Sequence, residues 1–486
     1  MVLLNLFLKN KLMRKINIPL ELHLFKNSEV LLCELDKLPF DFKLQSEIDF
    51  RVRSILNEIM AERKEVSDIV LVSYKVFIPL SNYLYWKLFQ EKSKNLGFKL
   101  IIDSYTNNIL NEIDLNNKKH TSYFSLINLK KILYNRIRII IRNLYLIRPR
   151  YFFKPVLVHN SYTNSLAASL FPRNRVVFFS YNYWNIEKVN NYNSRVLIES
   201  LVDVTLKKYL ILADSYKIYL DKDEILKLKS ILSNRFMAGI SSLAYVKSLN
   251  ISKYHALLID APRNEINKSI ALKFIDERKY VYEILHGHQH VIDWDYYSWA
   301  EFPFITNLIT MATNSRDFNY LIEKYGVLRN TLVSFISNNQ NKISHNKKFL
   351  KHGKKYLLIG APYKRFGNFS QSSKFQEIQQ YVIEKNIVNY FDNKNFEVFY
   401  KVHPEGLYKE KVEFLWGQKL VVGKLEFMHN HFDGFIFYYT NTSFFNTAIF
   451  SNKPIYIIDC NFEQYAPDTN NFILNRCEVL KYEDIL

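Results

Sequence analysis

Short apolar segments that end in polar turns constrain the fold of this 486-residue chain more than any other feature. The clearest examples lie at residues 397–402, 435–439 and 455–459, and each is rich in aromatic and β-branched residues. A polar turn at 440–443 and a helical pattern over 444–450 separate the second segment from the third. Because strand, turn, helix and strand in this order form a βαβ unit, the stretch predicts parallel strands in an α/β fold.

The same alternation extends through most of the chain and is typical of layered α/β proteins. Further strands are predicted over 30–33, 69–72, 99–102, 156–159, 176–179, 255–260, 280–285 and 356–360, and further helices over 81–94, 164–171, 196–250, 263–278 and 374–386. A polar and basic stretch at 338–355 lacks periodicity and is interpreted as a linker. It divides the chain into two predicted domains, 1–337 and 356–486.

The composition argues against several functional classes. Three cysteines, Cys33, Cys460 and Cys477, are too few and too scattered for a disulfide framework or a zinc site, and they fit a reducing cytoplasm. The chain has 11 glycines and contains neither a G-x-G-x-x-G nor a G-x-x-x-x-G-K-S/T pattern. These absences argue against a Rossmann dehydrogenase and against a P-loop ATPase.

The formal net charge of +19 predicts attraction to an anionic partner. Residues 126–154 are basic, lack acidic side chains and predict an amphipathic helix that is broken at Pro149. Such a helix either attaches to a membrane surface or packs, solvated, on its domain. No apolar run is long enough to span a membrane, and residues 1–20 resemble a second peripheral anchor more than a signal peptide. No nucleic-acid-binding motif occurs, so we expect an inner-membrane surface or a glycan as the partner, and no nucleic acid.

Two polar turns near the C-terminus predict an anion site. His403 follows a strand and is held by Pro404, so its imidazole can donate to a phosphate oxygen or pass a proton to a leaving group. Lys401 shares the strand face of His403 and adds positive charge. Thr442 and Ser443 stand where a helix begins, and hydroxyl and N–H groups at such a point suit a phosphate. The structural alternative is that these two residues only cap the helix and that the histidine only closes a turn.

A second group of polar residues follows two strands of the first predicted domain. Asp260 and His286 lie at the carboxyl ends of strands that we expect to be neighbours, so either can be the base that takes a proton from an acceptor hydroxyl. Gly287 permits close approach of a ligand. The alternative role for Asp260 is to cap the helix that follows it. In the second domain, Lys364 and Arg365 form a basic loop at the end of the first strand and are expected to bind the donor.

The histidines that follow the strand at 280–285 also admit a metal site. His286, His288 and His290 alternate close to Asp293 and Asp295, and such groups can bind a transition metal. The stretch resembles the closing G-H-x-H element of metallophosphoesterases, but the D-x-H, G-D-x-x-D and G-N-H elements that should precede it are missing. Asp293 and Asp295 also form a D-x-D pattern, as in metal-dependent GT-A transferases, but no apolar strand leads into it. We therefore predict no metal and expect His288 and His290 to line the cleft.

Taken together, three motifs resemble those of bacterial surface-polysaccharide transferases of the GT-B type. They are the strand that ends at His403 and Pro404, the Thr442–Ser443 pair before a helix, and the His-Gly turn at 286–287. The group includes capsule sialyltransferases, Kdo transferases and the glycerophosphotransferases of teichoic acid synthesis. The resemblance covers residues 260–459, and earlier residues match only in layout. It implies two Rossmann-like domains facing across a cleft, with no metal or cofactor. Many relatives carry a ribose-binding Glu where this chain has Thr447.

The resemblance implies a role for each matching residue. His403 would contact the donor phosphates, and Thr442 and Ser443 would bind a phosphate or a donor carboxylate, while His286 or Asp260 would be the base. The donor-binding set also includes Lys401, Pro404, Glu405, Lys364 and Arg365. The implied function is cytoplasmic transfer of a sugar from a nucleotide-sugar, with a CMP-sugar favoured, to a surface polysaccharide or lipid-linked glycan. A CDP-polyol phosphotransferase of the same fold and a His/Asp metal-dependent phosphohydrolase are the alternatives.

Overall fold

The structure is a computed structural model of the chain. It describes residues 14–17, 42–95, 98–101, 156–159, 176–178, 192–259, 264–284, 302–310, 334–337, 354–361, 377–401, 419–421, 428–440, 442–449, 451–461, 465 and 467–486. Short 3-10 helices lie at Lys64–Val66, Tyr74–Val76, Phe302–Phe304, His429–His431 and Tyr482–Ile485. None of the helices in these ranges is long and apolar enough to cross a membrane.

A helical layer forms much of the first half of the chain. Its elements are α1 (Phe42–Glu62), α2 (Ser67–Val72), α3 (Phe77–Asn95), α4 (Tyr192–Ser215) and α5 (Lys222–Lys247), and β1 (Arg14–Asn17) pairs in parallel with β2 (Phe98–Ile101) beside them. Buried hydroxyls join the helices, since Tyr209 donates to the Leu80 carbonyl at 2.8 Å. Where α5 crosses α2 the backbones are close, and a Cβ on Gly239 would lie 2.1 Å from the Ser73 hydroxyl. Any larger residue here would force the Ser73 hydroxyl to move.

Two sequence predictions are corrected in this layer. The segment at 69–72, predicted as a strand, lies within α2, because a short apolar run that is buried on every side looks the same whether it is strand or helix. The helix predicted over 196–250 is broken between α4 and α5. Lys217 has a φ of 59° at the break, and Asp221 then starts α5 with a capping box that includes Glu224.

The first of two six-stranded sheets follows the order β4-β3-β5-β6-β7-β8 and is parallel throughout. Its strands are β3 (Val156–His159), β4 (Val176–Phe178), β5 (Ala256–Ile259), β6 (Tyr280–Ile284), β7 (Asn307–Thr310) and β8 (Ser334–Ser337), with α6 (Glu265–Asp276) between β5 and β6. All four residues of β5 are buried, as expected for a central strand. The chain order reverses direction between β3 and β5.

The second sheet follows the order β11-β10-β9-β12-β13-β14 and is also parallel. Its elements are β9 (Lys355–Ile359), α7 (Glu377–Asn393), β10 (Glu397–Lys401), β11 (Leu420–Val421), β12 (Gly434–Phe437), α8 (Ser443–Ile449), β13 (Ile455–Asp459), α9 (Pro467–Arg476) and β14 (Glu478–Lys481). Counted along this part of the chain, the strand order is 3-2-1-4-5-6. This is the order of the dinucleotide-binding Rossmann fold, and the chain reverses direction between β9 and β12.

Alternate side chains of the second sheet build two separate hydrophobic cores. One face carries Tyr356, Leu358, Ile436 and Ile458 and packs with α7 residues such as Ile383, Ile387 and Phe391. The other face carries Leu357, Ile359, Phe435, Phe437 and Ile457 and packs with α8 and α9 through Phe444, Phe445, Ile449 and Ile473. Because successive strand residues point to opposite faces, each strand must be apolar on both sides. The sheet is therefore covered by helices on both faces.

Most predicted elements that fall in the described ranges are confirmed. The strands predicted at 99–102, 156–159, 176–179, 255–260, 280–285, 356–360, 397–402, 435–439 and 455–459 match β2, β3, β4, β5, β6, β9, β10, β12 and β13 to within a few residues. The α/β class and the βαβ unit of β12, α8 and β13 are confirmed as well. The strand at 30–33, the helices at 126–154 and 164–171, and nearly all of the linker at 338–355 lie outside the described residues.

Candidate active site

The reversal point of the second sheet defines the candidate site. In open parallel sheets, ligands bind at the carboxyl ends of the strands where the strand order reverses. Here β9 and β12 are neighbours, with Ile359 opposite Phe437. The chain leaves β9 through Gly360 and Ala361 and leaves β12 through Tyr438. These two exits form the lips of the crevice.

A buried polar cluster fixes both lips. Glu384 of α7 is fully buried, and its Oε1 accepts hydrogen bonds from the Tyr400 hydroxyl at 3.0 Å, the Tyr438 hydroxyl at 2.5 Å and the Gln380 amide at 3.0 Å. The Tyr438 hydroxyl in turn accepts from the Ala361 N–H at 2.9 Å, and Gln380 donates to the Ala361 carbonyl at 2.9 Å. The cluster thus ties the exits of β9 and β12 to the same helix.

The electrostatics of this cluster suit it to holding the backbone in place and not to transferring protons. Burial, followed by the negative charge of Glu384, raises the pKa of Tyr438 well above its ordinary value. The Tyr438 hydroxyl therefore keeps its proton and stays a donor at physiological pH. A group of this kind holds backbone in place and does not act as an acid or a base near neutral pH.

Gly360 is required by close contact at the same lip. A Cβ on this residue would lie 2.1 Å from the Tyr400 hydroxyl oxygen and 2.6 Å from the Cζ atom of the same ring. Its N–H donates to the Lys401 carbonyl at 3.0 Å, which joins the exits of β9 and β10. The glycine lets the Tyr400 side chain pass beneath the backbone to reach Glu384.

Thr442 caps α8. Its side chain is 5% exposed, and its Oγ1 accepts from the Phe444 N–H at 3.1 Å, while its own N–H donates to the Thr440 carbonyl at 2.7 Å. The structure therefore shows Thr442 in the capping role that was the alternative to phosphate binding. A contact between its hydroxyl and a phosphate stays a prediction. Ser443 is the first residue of α8, which has only seven residues and provides a short helix dipole.

The residues predicted around the end of β10 are only partly described. Lys401 is its last residue, and the side chain is 7% exposed. His403, Pro404, Glu405, Lys364 and Arg365 lie outside the described residues, so their roles stay predictions. Since β9 lies between β10 and β12, the ends of these two strands are two strand spacings apart, or roughly 10 Å.

The expected arrangement of strands around Asp260 and His286 is confirmed. The strands that precede these residues, β5 and β6, are parallel neighbours, with Ile259 opposite Glu283, so their carboxyl ends lie at the same edge of the first sheet. Asp260, His286, Gly287, His288 and His290 themselves lie outside the described residues. Within the ranges that the structure does describe, no group of three or more His, Cys, Asp or Glu side chains could hold a metal ion.

A cavity at the end of β13 was not predicted from the sequence. It has a volume of about 310 Å³ and is lined by Tyr438, Ile457, Ile458, Asp459, Cys460, Tyr465, Asn470, Ile473, Leu474 and Val479. Asp459 is its acidic residue, and burial raises the pKa of this carboxyl. The available signal was the position of Asp459 directly at the end of an apolar strand, the same position that singled out Asp260.

Comparisons with known proteins did not assign the chain to a family. No family model matches it, and no curated protein sequence matches it either.

Proposed function

We propose that this protein is a metal-independent GT-B glycosyltransferase that moves a sugar from a nucleotide-sugar, with a CMP-sugar favoured, to a surface polysaccharide or lipid-linked glycan. The observation that carries the proposal is the parallel 3-2-1-4-5-6 sheet, whose reversal point lies beside the Thr442–Ser443 turn. A sheet of this order is compatible with many chemistries. The choice of glycosyl transfer rests on the His-Pro and Thr-Ser motifs that follow β10 and β12.

The spacing of the strand ends supports binding of one donor across both turns. With the ends of β10 and β12 roughly 10 Å apart, the donor phosphate would lie between them, above the exit of β9. His403 would donate to a phosphate oxygen from one side, and the backbone around Ser443 would donate from the other. Lys401, at the end of β10, would add positive charge close to the same phosphate.

The proposed reaction is a direct displacement at the donor carbon. Asp260 or His286 takes the proton of the acceptor hydroxyl, the acceptor oxygen bonds to the sugar carbon, and the bond from that carbon to the phosphate oxygen breaks. The charge that develops on the departing phosphate is stabilised by His403 and the turn before α8. In this proposal the first sheet supplies the base and the acceptor side, and faces the second sheet across a cleft.

The proposal also places the protein at a membrane surface. The basic segment at 126–149 would hold it to the inner face of the membrane, where a lipid-linked glycan is accessible. Residues 14–17 of the second predicted anchor form β1, so only the residues before this strand would reinforce the attachment.

Turnover in EDTA tests the proposed function. Wild-type protein is incubated with a panel of nucleotide-sugars and a glycan acceptor, and released nucleotide is measured. We expect activity that resists EDTA and falls about 100-fold or more in His403→Ala, the usual scale for loss of an acid–base group. His431→Ala, an exposed histidine of the same half of the chain, is the control and should keep full activity. Activity that disappears with EDTA would instead indicate a metal-dependent hydrolase.

A further inference from the structure

The cavity at the end of β13 lies beside the proposed donor site. Tyr465 lines it, and the Tyr465 hydroxyl is 3.2 Å from the Thr440 hydroxyl in the turn between β12 and α8. Tyr438, which forms one lip of the crevice, lines the cavity as well. A group attached to a phosphate at this turn would therefore reach the cavity without crossing the sheet.

The cavity has room for at least one ring. Its volume of about 310 Å³ lies at the lower end of the range of roughly 300–1,000 Å³ that is usual for ligand pockets. This is enough for one substituted ring. Ile457, Ile473, Leu474 and Val479 provide apolar lining, against which the C–H face of such a ring can pack.

The polar lining includes the side chains of Asp459, Asn470 and Tyr465. One oxygen of Asp459, Oδ1, accepts from the Asn461 N–H at 2.8 Å. No residue that the structure describes forms an ion pair with Asp459. Asn470, which carries an amide, and Tyr465, which carries a hydroxyl, line the same space. This set offers acceptors from the carboxylate and both donors and acceptors from its neighbours, which matches hydroxyl groups.

The surroundings of the Asp459 carboxylate favour further hydrogen bonds from a ligand. Burial is the largest influence on the pKa of the Asp459 carboxyl and raises it, whereas the hydrogen bond from the Asn461 N–H lowers it. The charges have smaller effects: Glu483 raises the pKa, and Lys481, opposite Asp459 on β14, lowers it. Asn461 donates from its side chain to Glu483 at 3.0 Å, which holds that carboxylate near the end of β13. A carboxylate in partly desolvated surroundings gains most from ligand hydroxyls, because hydrogen bonds to a charged group are the strong ones.

We infer that this cavity binds a ring with two adjacent hydroxyl groups, both of which donate to the Asp459 carboxylate, with Asn470 and Tyr465 completing the contacts. The inference rests on the proposed function, because it assigns the ring to the donor. Two parts of a nucleotide-sugar have this chemistry, the ribose and the transferred sugar.

Titration calorimetry with Asp459→Asn distinguishes the two sources. Cytidine monophosphate, its 2′-deoxy analogue and a CMP-sugar are titrated into wild-type protein, Asp459→Asn and the control Asp484→Asn, which changes an exposed carboxylate. If the ribose occupies the cavity, Asp459→Asn weakens the binding of cytidine monophosphate about 10- to 100-fold. This variant then binds cytidine monophosphate and its deoxy analogue equally well. If the transferred sugar occupies the cavity, Asp459→Asn weakens only the binding of the CMP-sugar. Equal affinities of all ligands for Asp459→Asn and wild type would overturn the inference.

A separate experiment tests the cavity if no nucleotide binds. In that case the proposed function fails, and saturation-transfer NMR with D-ribose and 2-deoxy-D-ribose examines the cavity alone. We expect a signal for ribose that is lost in Asp459→Asn and kept in Asp484→Asn. No signal, or one that is the same in Asp459→Asn, would overturn the inference independently of the donor.

Discussion

Replacing Tyr438 by Phe removes two hydrogen bonds at once from the crevice between β9 and β12. The lost hydroxyl donates to the buried Glu384 carboxylate at 2.5 Å and accepts from the Ala361 N–H at 2.9 Å. A hydrogen bond to a charged group contributes about 1.5–3 kcal/mol, and a buried N–H left without a partner costs about 1–3 kcal/mol. We therefore expect Tyr438→Phe to lower the free energy of unfolding by about 2.5–6 kcal/mol, from the sum of these two terms.

Tyr400→Phe is the matched comparison because it removes only one of the donors to Glu384. Its expected cost is about 1.5–3 kcal/mol. Tyr219→Phe, at a side chain that is 87% exposed, is the control and should change stability by less than about 0.5 kcal/mol. Scanning calorimetry measures the Tm of all three variants, and Glu384→Gln combined with Tyr438→Phe measures their coupling. The reasoning is refuted if Tyr438→Phe costs no more than Tyr400→Phe, or if the costs of Glu384→Gln and Tyr438→Phe simply add.

Three further outcomes are expected. Gly360→Ala forces the Tyr400 ring away from Glu384 and should cost about 1–3 kcal/mol in thermal unfolding; an unchanged Tm would contradict the close contact. Thr442→Val removes the cap of α8 and should cost about 1 kcal/mol, whereas Thr442→Ser should restore most of it in the same assay. Asp459→Asn should raise the Tm at pH 7, because burial raises the pKa of this carboxyl and makes its ionised form unfavourable in the folded protein. That gain should vanish as the pH falls through the raised pKa to below the ordinary value of 3.8, and a gain independent of pH would refute the cause.

The strands around the candidate site were predictable from local pattern. Residues of β9, β10, β12 and β13 form apolar runs that end at polar turns, and they are buried on both faces because helices cover the sheet. In contrast, β14 has exposed ends and reads Glu-Val-Leu-Lys, and β11 has only two residues. Such strands are defined by pairing with a neighbour, so no short window of sequence identifies them.

The contacts that fix the crevice could not be predicted in the same way. Glu384 lies within a predicted helix, and nothing in the local pattern shows that its carboxylate is fully buried. Its partners are Tyr400 in β10 and Tyr438 directly after β12. They are 38 residues apart in the sequence and become neighbours of one helix only in the folded sheet. Long-range pairing of this kind depends on the strand order 3-2-1-4-5-6, which the sequence pattern alone does not specify.

The position of phosphorus in a complex with a nucleotide tests the central claim most directly. Crystals of the protein with cytidine monophosphate, grown in EDTA, would locate the phosphate by its electron density. We predict that it lies at the carboxyl ends of β9 and β12, with an oxygen about 3 Å from a donor of the turn before α8 and another within reach of His403. A phosphate bound at the edge of the first sheet, or on an outer helix face, would contradict the account.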